Sequence, residues 1–164
     1  ISQIAEQHGY EFRIVDAVIR VNEERPAMMA EKIVSAVGGN LDGAAIGVLG
    51  LTFKPNTDDM RESPAIPIIK SLQDKGANIR AYDPAGMEQA KNYLSDIDYK
   101  KDLYAVAETA DALVLCTEWN EFRIMDWPRI KKLMRRPIVV DLRNIYEPRR
   151  MRALGFQYSS VGRP

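Results

Sequence analysis

Three cations stand where a chain that binds anions would place them. Lys54 and Arg61 lie in Leu51-Thr52-Phe53-Lys54-Pro55-Asn56-Thr57-Asp58-Asp59-Met60-Arg61-Glu62-Ser63-Pro64, and Arg143 follows Val139-Val140-Asp141-Leu142. Ser63-Pro64 reads as an N-cap and first-turn pair, so a helix should start there. The free amides of its first turn would favour a phosphate. A guanidinium at position 143 suits bidentate recognition of a phosphate or carboxylate. The functional reading is a phosphate-bearing ligand held by Lys54 and one or more loop amides, with Arg143 projecting toward the same crevice. The plainer alternatives are ion pairs: Arg61 with Asp58, Asp59 or Glu62, and Arg143 with Asp141 or Glu147.

Other groups carry less chemistry. Gly47-Val48-Leu49-Gly50 is followed by Leu51, Thr52 and Phe53, so it lacks the small residues that bring backbone against a pyrophosphate. A nicotinamide cofactor gripped by this segment in the usual manner is not expected. Asp83 stands where an acidic residue would hold a ribose, but Pro84 follows it and a plain turn explains it equally well. Cys116, the single cysteine, is far in sequence from His8, the single histidine. It is read as a buried, inert thiol, so neither a catalytic residue nor a metal-ligating cluster is expected. Trp119, Phe122 and Trp127 are read as packing, and Lys131-Lys132 with Arg135-Arg136 as the solvated end of a helix.

The elements that must position these groups follow from periodicity. Short apolar runs at Ala44–Leu51, Ala77–Tyr82, Ala112–Cys116, Ile138–Leu142 and Phe156–Val161 read as buried strands. Amphipathic stretches near Pro64–Lys75, Gly86–Tyr93, Leu103–Thr109, Trp127–Met134 and Pro148–Leu154 read as helices. The alternation predicts an α/β fold, a Rossmann-like doubly wound parallel sheet covered on both faces. Ligands of such sheets bind beyond the carboxyl ends of the strands, so residues 54, 61 and 143 are expected to converge on one anion pocket at that rim. A long helical segment precedes the sheet. Residues 1–7 form a short helix stopped at Gly9, and about 11–37 form a longer one with an exposed apolar stripe. Pro26 is expected to kink or break the longer helix. Turn residues at 38–43 mark a boundary between residues 1–43 and residues 44–164.

The whole chain sets the limits. It has 164 residues, with 23 Lys+Arg against 23 Asp+Glu, which argues against a nucleic-acid binder. No apolar run approaches the ~20 residues that cross a bilayer, and residues 1–12 do not read as a signal peptide. A cytoplasmic setting is expected. The first residue is Ile, not Met, so a piece of a longer protein is expected.

Residues 47–64 resemble the segment that opens the UDP-binding C-terminal domain of the UDP-glucose/GDP-mannose dehydrogenase family. Tyr82-Asp83-Pro84, Cys116-Thr117-Glu118-Trp119 and Val140-Asp141-Leu142-Arg143-Asn144 are similar to later landmarks of that family, in the same order. Cys-Thr-Glu-Trp favours its UDP-glucose 6-dehydrogenase branch. The resemblance implies that Phe53, Lys54 and Arg143 contact UDP-glucose and that Arg61 reaches NAD. It further implies that residues 1–38 end a central helical domain carrying a homodimer contact. The family's NAD-binding domain and nucleophilic cysteine have no counterpart in residues 1–164, and Cys116 does not match that nucleophile. Oxidation of a primary alcohol to a carboxylate takes two hydride transfers and a thiol to hold the aldehyde between them. The chain alone is therefore expected to be inactive. A stand-alone nucleotide-binding module and a flavodoxin-like interaction module remain the alternatives.

Overall fold

A computed structural model describes residues 2–163. Six strands form one sheet: β1 (Ala45–Leu49), β2 (Asn78–Tyr82), β3 (Ile97–Tyr99), β4 (Ala112–Leu115), β5 (Ile138–Asp141) and β6 (Gln157–Ser160). Their order is β3-β2-β1-β4-β5-β6 and every pairing is parallel, with Val48 opposite both Ala81 and Val114. The order reverses at β1, so the crevice of this Rossmann-like sheet lies beyond the ends of β1 and β4. Seven α-helices, α1 (Ser2–Gln7), α2 (Arg13–Val37), α3 (Ala65–Asp74), α4 (Met87–Ala90), α5 (Leu103–Ala107), α6 (Trp127–Leu133) and α7 (Pro148–Ala153), and a 3-10 helix at Asn120–Ile124 complete the described chain. The sequence also predicts helix at Ile1, which lies outside the described residues.

The period of two along each central strand divides the core between the two faces of the sheet. Ile46, Val48, Val114 and Val140 pack with Ile33 of α2 and Ile69 and Leu72 of α3. Leu49, Leu113, Leu115 and Val139 pack with Val106 of α5, Ile130 of α6 and Met151 of α7. Every residue of β1, β4 and β5 is buried, which explains their nearly continuous apolar sequences. Gly47 lets α5 sit directly on β1, because a Cβ there would lie 2.7 Å from Val106 Cγ1.

Two expectations change. The pattern missed β3, whose three residues form a sheet edge with Asp98 exposed. Helix α2 runs unbroken through Pro26. Proline removes the hydrogen bond to the carbonyl of Asn22, but Asn22 is exposed and water can take that place. Gly9 is left-handed (φ +75°), as the end of α1 requires. Below Pro26, Ala30, Ile33 and Val37 of α2 are buried against the sheet. The Arg136 guanidinium donates to the Val37 carbonyl (2.9 Å), and Lys75 pairs with Glu31 (3.0 Å). Above Pro26, Ile14, Val18 and Val21 are 82%, 53% and 58% exposed. Their spacing, continued by Met28, places them on one side of the helix.

Candidate functional site

The rim beyond β1 is assembled around Asp83, which is wholly buried. Its Oδ2 accepts from the backbone N–H of Leu51 (2.7 Å) and Thr52 (3.1 Å), from the Thr52 hydroxyl (3.1 Å) and from the Trp119 indole (3.1 Å). Its Oδ1 accepts from the N–H of Ala85 (3.0 Å) and Gly86 (2.7 Å). One carboxylate thus ties the loops after β1, β2 and β4 together. The remaining polar groups of Leu51 and Thr52 are also used: Ser63 Oγ donates to the Leu51 carbonyl and Thr117 Oγ1 to that of Thr52, each at 2.6 Å. Asp83 therefore has neither a free oxygen for a ribose nor exposure to one. Both the ribose reading and the plain turn understate it.

The loops also touch backbone to backbone. Gly50 is left-handed (φ +85°), and a Cβ on it would stand 2.7 Å from the Thr117 backbone nitrogen. A Cβ on Gly86 would meet Thr52 Cγ2 at 2.3 Å. The place where a dinucleotide-binding sheet admits a pyrophosphate is filled by the protein's own β4 loop. With Asp83 saturated as well, these residues do not fit NAD in the usual position.

A second buried carboxylate, Asp141, organises the loop after β5. It accepts from the N–H of Arg143 (2.9 Å), Ile145 (2.8 Å) and Tyr146 (3.1 Å) and from the Tyr158 hydroxyl (2.7 Å). Asn144 adopts a left-handed backbone there (φ 58°), a conformation asparagine tolerates. The Tyr158 phenol is pushed above its ordinary range, first by burial and then by the Asp141 hydrogen bond.

The structure places each expected site residue on these loops. Phe53 is half exposed, and its N–H donates to the Asp59 carbonyl (2.9 Å). It lines a cavity of about 890 Å³ with Ile19 and Pro26 of α2 and with Pro64 and Pro67. Lys54 forms no salt bridge among the described residues and acts on Asp59 through space. Arg61 folds back on Asp59 through Nε (3.0 Å) and Nη2 (2.9 Å), one of its sequence-level ion-pair alternatives. That hydrogen-bonded pair holds the Asp59 carboxyl down at about 2. Arg61 lines a different cavity, of about 360 Å³, with Gln89 and Tyr93. Arg143 reaches neither Asp141 nor Glu147 with its side chain; it grips Glu118 through Nε (2.5 Å) and Nη2 (2.9 Å). Phe53 and Arg61 thus line separate cavities and neither cavity includes Lys54 or Arg143, so these cavities do not form the single anion pocket expected of residues 54, 61 and 143.

The helix start does not offer the free amides expected of it. The Ala65 N–H donates to Ser63 Oγ (3.3 Å), the Ile66 N–H to the Ser63 carbonyl (3.1 Å), and position 67 is proline. The start of α3 and the first three amides of the β1 loop are thus internally satisfied. Glu118 was missed altogether, because no spacing rule links a loop carboxylate to an arginine 25 residues away.

The landmark Cys116-Thr117-Glu118-Trp119 now has a role at every position. Cys116 is buried, and burial pushes its thiol up to about 12, away from the thiolate form in which a cysteine attacks. Thr117, Glu118 and Trp119 reach Thr52, Arg143 and Asp83 respectively. Trp127 and Phe122 are buried in the core, as expected. Among the described residues no group of three His, Cys, Asp or Glu side chains could hold a metal ion. Among the described residues no helix is long and apolar enough to cross a membrane.

Known proteins share this architecture. The chain is 49% identical over 160 residues to the UDP-glucose 6-dehydrogenase of Rhizobium meliloti (strain 1021), covering 98% of this chain and 37% of that relative. It superposes on a UDP-D-ManNAc dehydrogenase from Pyrococcus horikoshii with a TM-score of 0.81 at 30% identity, covering 97% of this chain and 36% of that one. A UDP-glucose dehydrogenase from Pyrobaculum islandicum gives a TM-score of 0.79 at 32% identity, over 96% of this chain and 34% of that one. The model of the UDP-binding domain of the UDP-glucose/GDP-mannose dehydrogenase family matches residues 47–148. With more than half of the chain matched to that domain, the chain belongs to the UDP-glucose/GDP-mannose dehydrogenase family.

Proposed function

We propose that this chain binds UDP-glucose at the rim beyond β1, β4 and β5, as the nucleotide-sugar half of an NAD-dependent UDP-glucose 6-dehydrogenase. That activity converts UDP-glucose to UDP-glucuronate in two oxidations. In this reading Phe53 packs against the substrate, and Lys54 and Arg143 supply charge to its diphosphate. Arg61 faces the cofactor. The NAD is held outside this sheet, where Gly50 packs closely on Thr117, and the reacting thiol is not Cys116. The contribution of this chain is positioning: it holds the nucleotide so that the sugar projects to groups beyond it. Residues 1–43 serve as the end of a helical dimerisation unit and residues 44–164 as the UDP-binding unit. The exposed Ile14, Val18, Val21 and Met28 stripe is the homodimer contact. The enzyme works in the cytoplasm.

One observation carries the reading: two buried carboxylates, Asp83 and Asp141, fix the loops that bear Phe53, Lys54 and Arg143 before any ligand arrives. Preorganised loops with side-chain cations suit a diphosphate better than a protein surface would. Calorimetric titration with UDP tests it. Binding is expected, and Arg143→Ala should weaken it by at least ~1.4 kcal/mol, a factor of ten. Undetectable binding at millimolar UDP, by protein that circular dichroism shows to be folded, would favour an interaction module instead.

A further inference from the structure

Arg143 and Glu118 meet side-on: Nε donates to Oε2 (2.5 Å) and Nη2 to Oε1 (2.9 Å). A guanidinium has five N–H donors in one plane, and this clamp uses two of them. Both hydrogens on Nη1 and the second on Nη2 remain, and the pair of them pointing along the side-chain axis makes a second bidentate edge. An anion can therefore take the end of Arg143 while Glu118 keeps its side. The pair is partly open to solvent, with Arg143 40% and Glu118 26% exposed.

Both partners stand on backbone that cannot drift. The residues on either side of Glu118 are anchored, Thr117 on the Thr52 carbonyl (2.6 Å) and Trp119 on Asp83 (3.1 Å). The Arg143 N–H is fixed on Asp141 (2.9 Å). Without Glu118, a long flexible side chain would have to be ordered by the ligand itself. We infer that Glu118 is a positioning residue for nucleotide-sugar binding, setting the plane of the Arg143 guanidinium so that its free edge is presented to the diphosphate. This rests on the reading of Arg143 as a substrate contact. The Arg143 hydrogen bond holds the Glu118 carboxyl below its usual range, so the clamp stays ionised at neutral pH.

The test is a double-mutant cycle on UDP affinity. Glu118→Ala should raise the Kd for UDP about tenfold while leaving thermal unfolding unchanged. Glu118→Gln keeps an acceptor of the same length and should restore affinity to within about threefold of the wild type. In an Arg143→Ala background, Glu118→Ala should change the Kd less than twofold. Tighter or unchanged UDP binding by Glu118→Ala would overturn the inference, as would effects of the two substitutions that simply add. Absence of UDP binding by the wild-type protein would instead remove the functional reading, and the inference with it.

Discussion

The rim of the sheet and the upper half of α2 treat water in opposite ways. At the rim, polar groups are buried and each backbone N–H and carbonyl of Leu51 and Thr52 finds a partner within the protein. On α2 above Pro26, apolar side chains such as Ile14, 82% exposed, face solvent. The first region is complete by itself. The second is a helix whose stripe of Ile14, Val18 and Val21 has nothing over it in a single copy. Stability and readiness to bind nucleotide should therefore be properties of one chain, and only association should depend on the helix.

The sharpest way to break that contrast is to empty the centre of the rim. Asp83→Ala strands six hydrogen-bond donors, most of them buried, and should cost about 4 kcal/mol. At roughly 2–4 °C per kcal/mol for a domain of this size, differential scanning calorimetry should show Tm falling by about 10 °C. Gly50→Ala forces a Cβ into the Thr117 backbone at a left-handed position, and a loss of roughly 2 kcal/mol is expected in urea unfolding. Val21→Glu on the exposed stripe should leave stability within about 0.5 kcal/mol. On the dimer contact proposed above, it should also lower the sedimenting mass to that of a monomer. A large loss of Tm in this variant would erase the distinction between the two regions.

The smallest effect concerns acid. The Asp59 carboxyl, lowered to about 2 by Arg61, is ionised in the folded protein where an unfolded chain would be protonated. Its contribution is complete above its ordinary value near 4 and disappears as pH falls toward 2. The pair is exposed, so Asp59→Asn should change the acid limb of a pH–stability curve only slightly.

How much of this was legible depended on the range of the interaction. Runs such as Ala112–Leu115 and Ile138–Asp141 announce buried strands because burial on both faces leaves no polar position. The strand at Ile97–Tyr99 was invisible because three residues at an edge carry no period. The three cations could be picked from their places after strands. Their partners could not: Asp83 meets Leu51 across 32 residues and Glu118 meets Arg143 across 25, distances set by the sheet order rather than by local pattern. The amides at the start of α3 looked available in one dimension and are capped in three.

The chain has two tryptophans. The indole of Trp119 is hydrogen-bonded to the buried Asp83 and partly open to solvent, whereas Trp127 is enclosed between Tyr146 and Phe156. Their emission should therefore come from two separate environments, one at the loops and one deep in the packing. The emission of Trp119 offers a built-in optical gauge of that loop junction, with Trp127 as an internal reference that needs no attached dye.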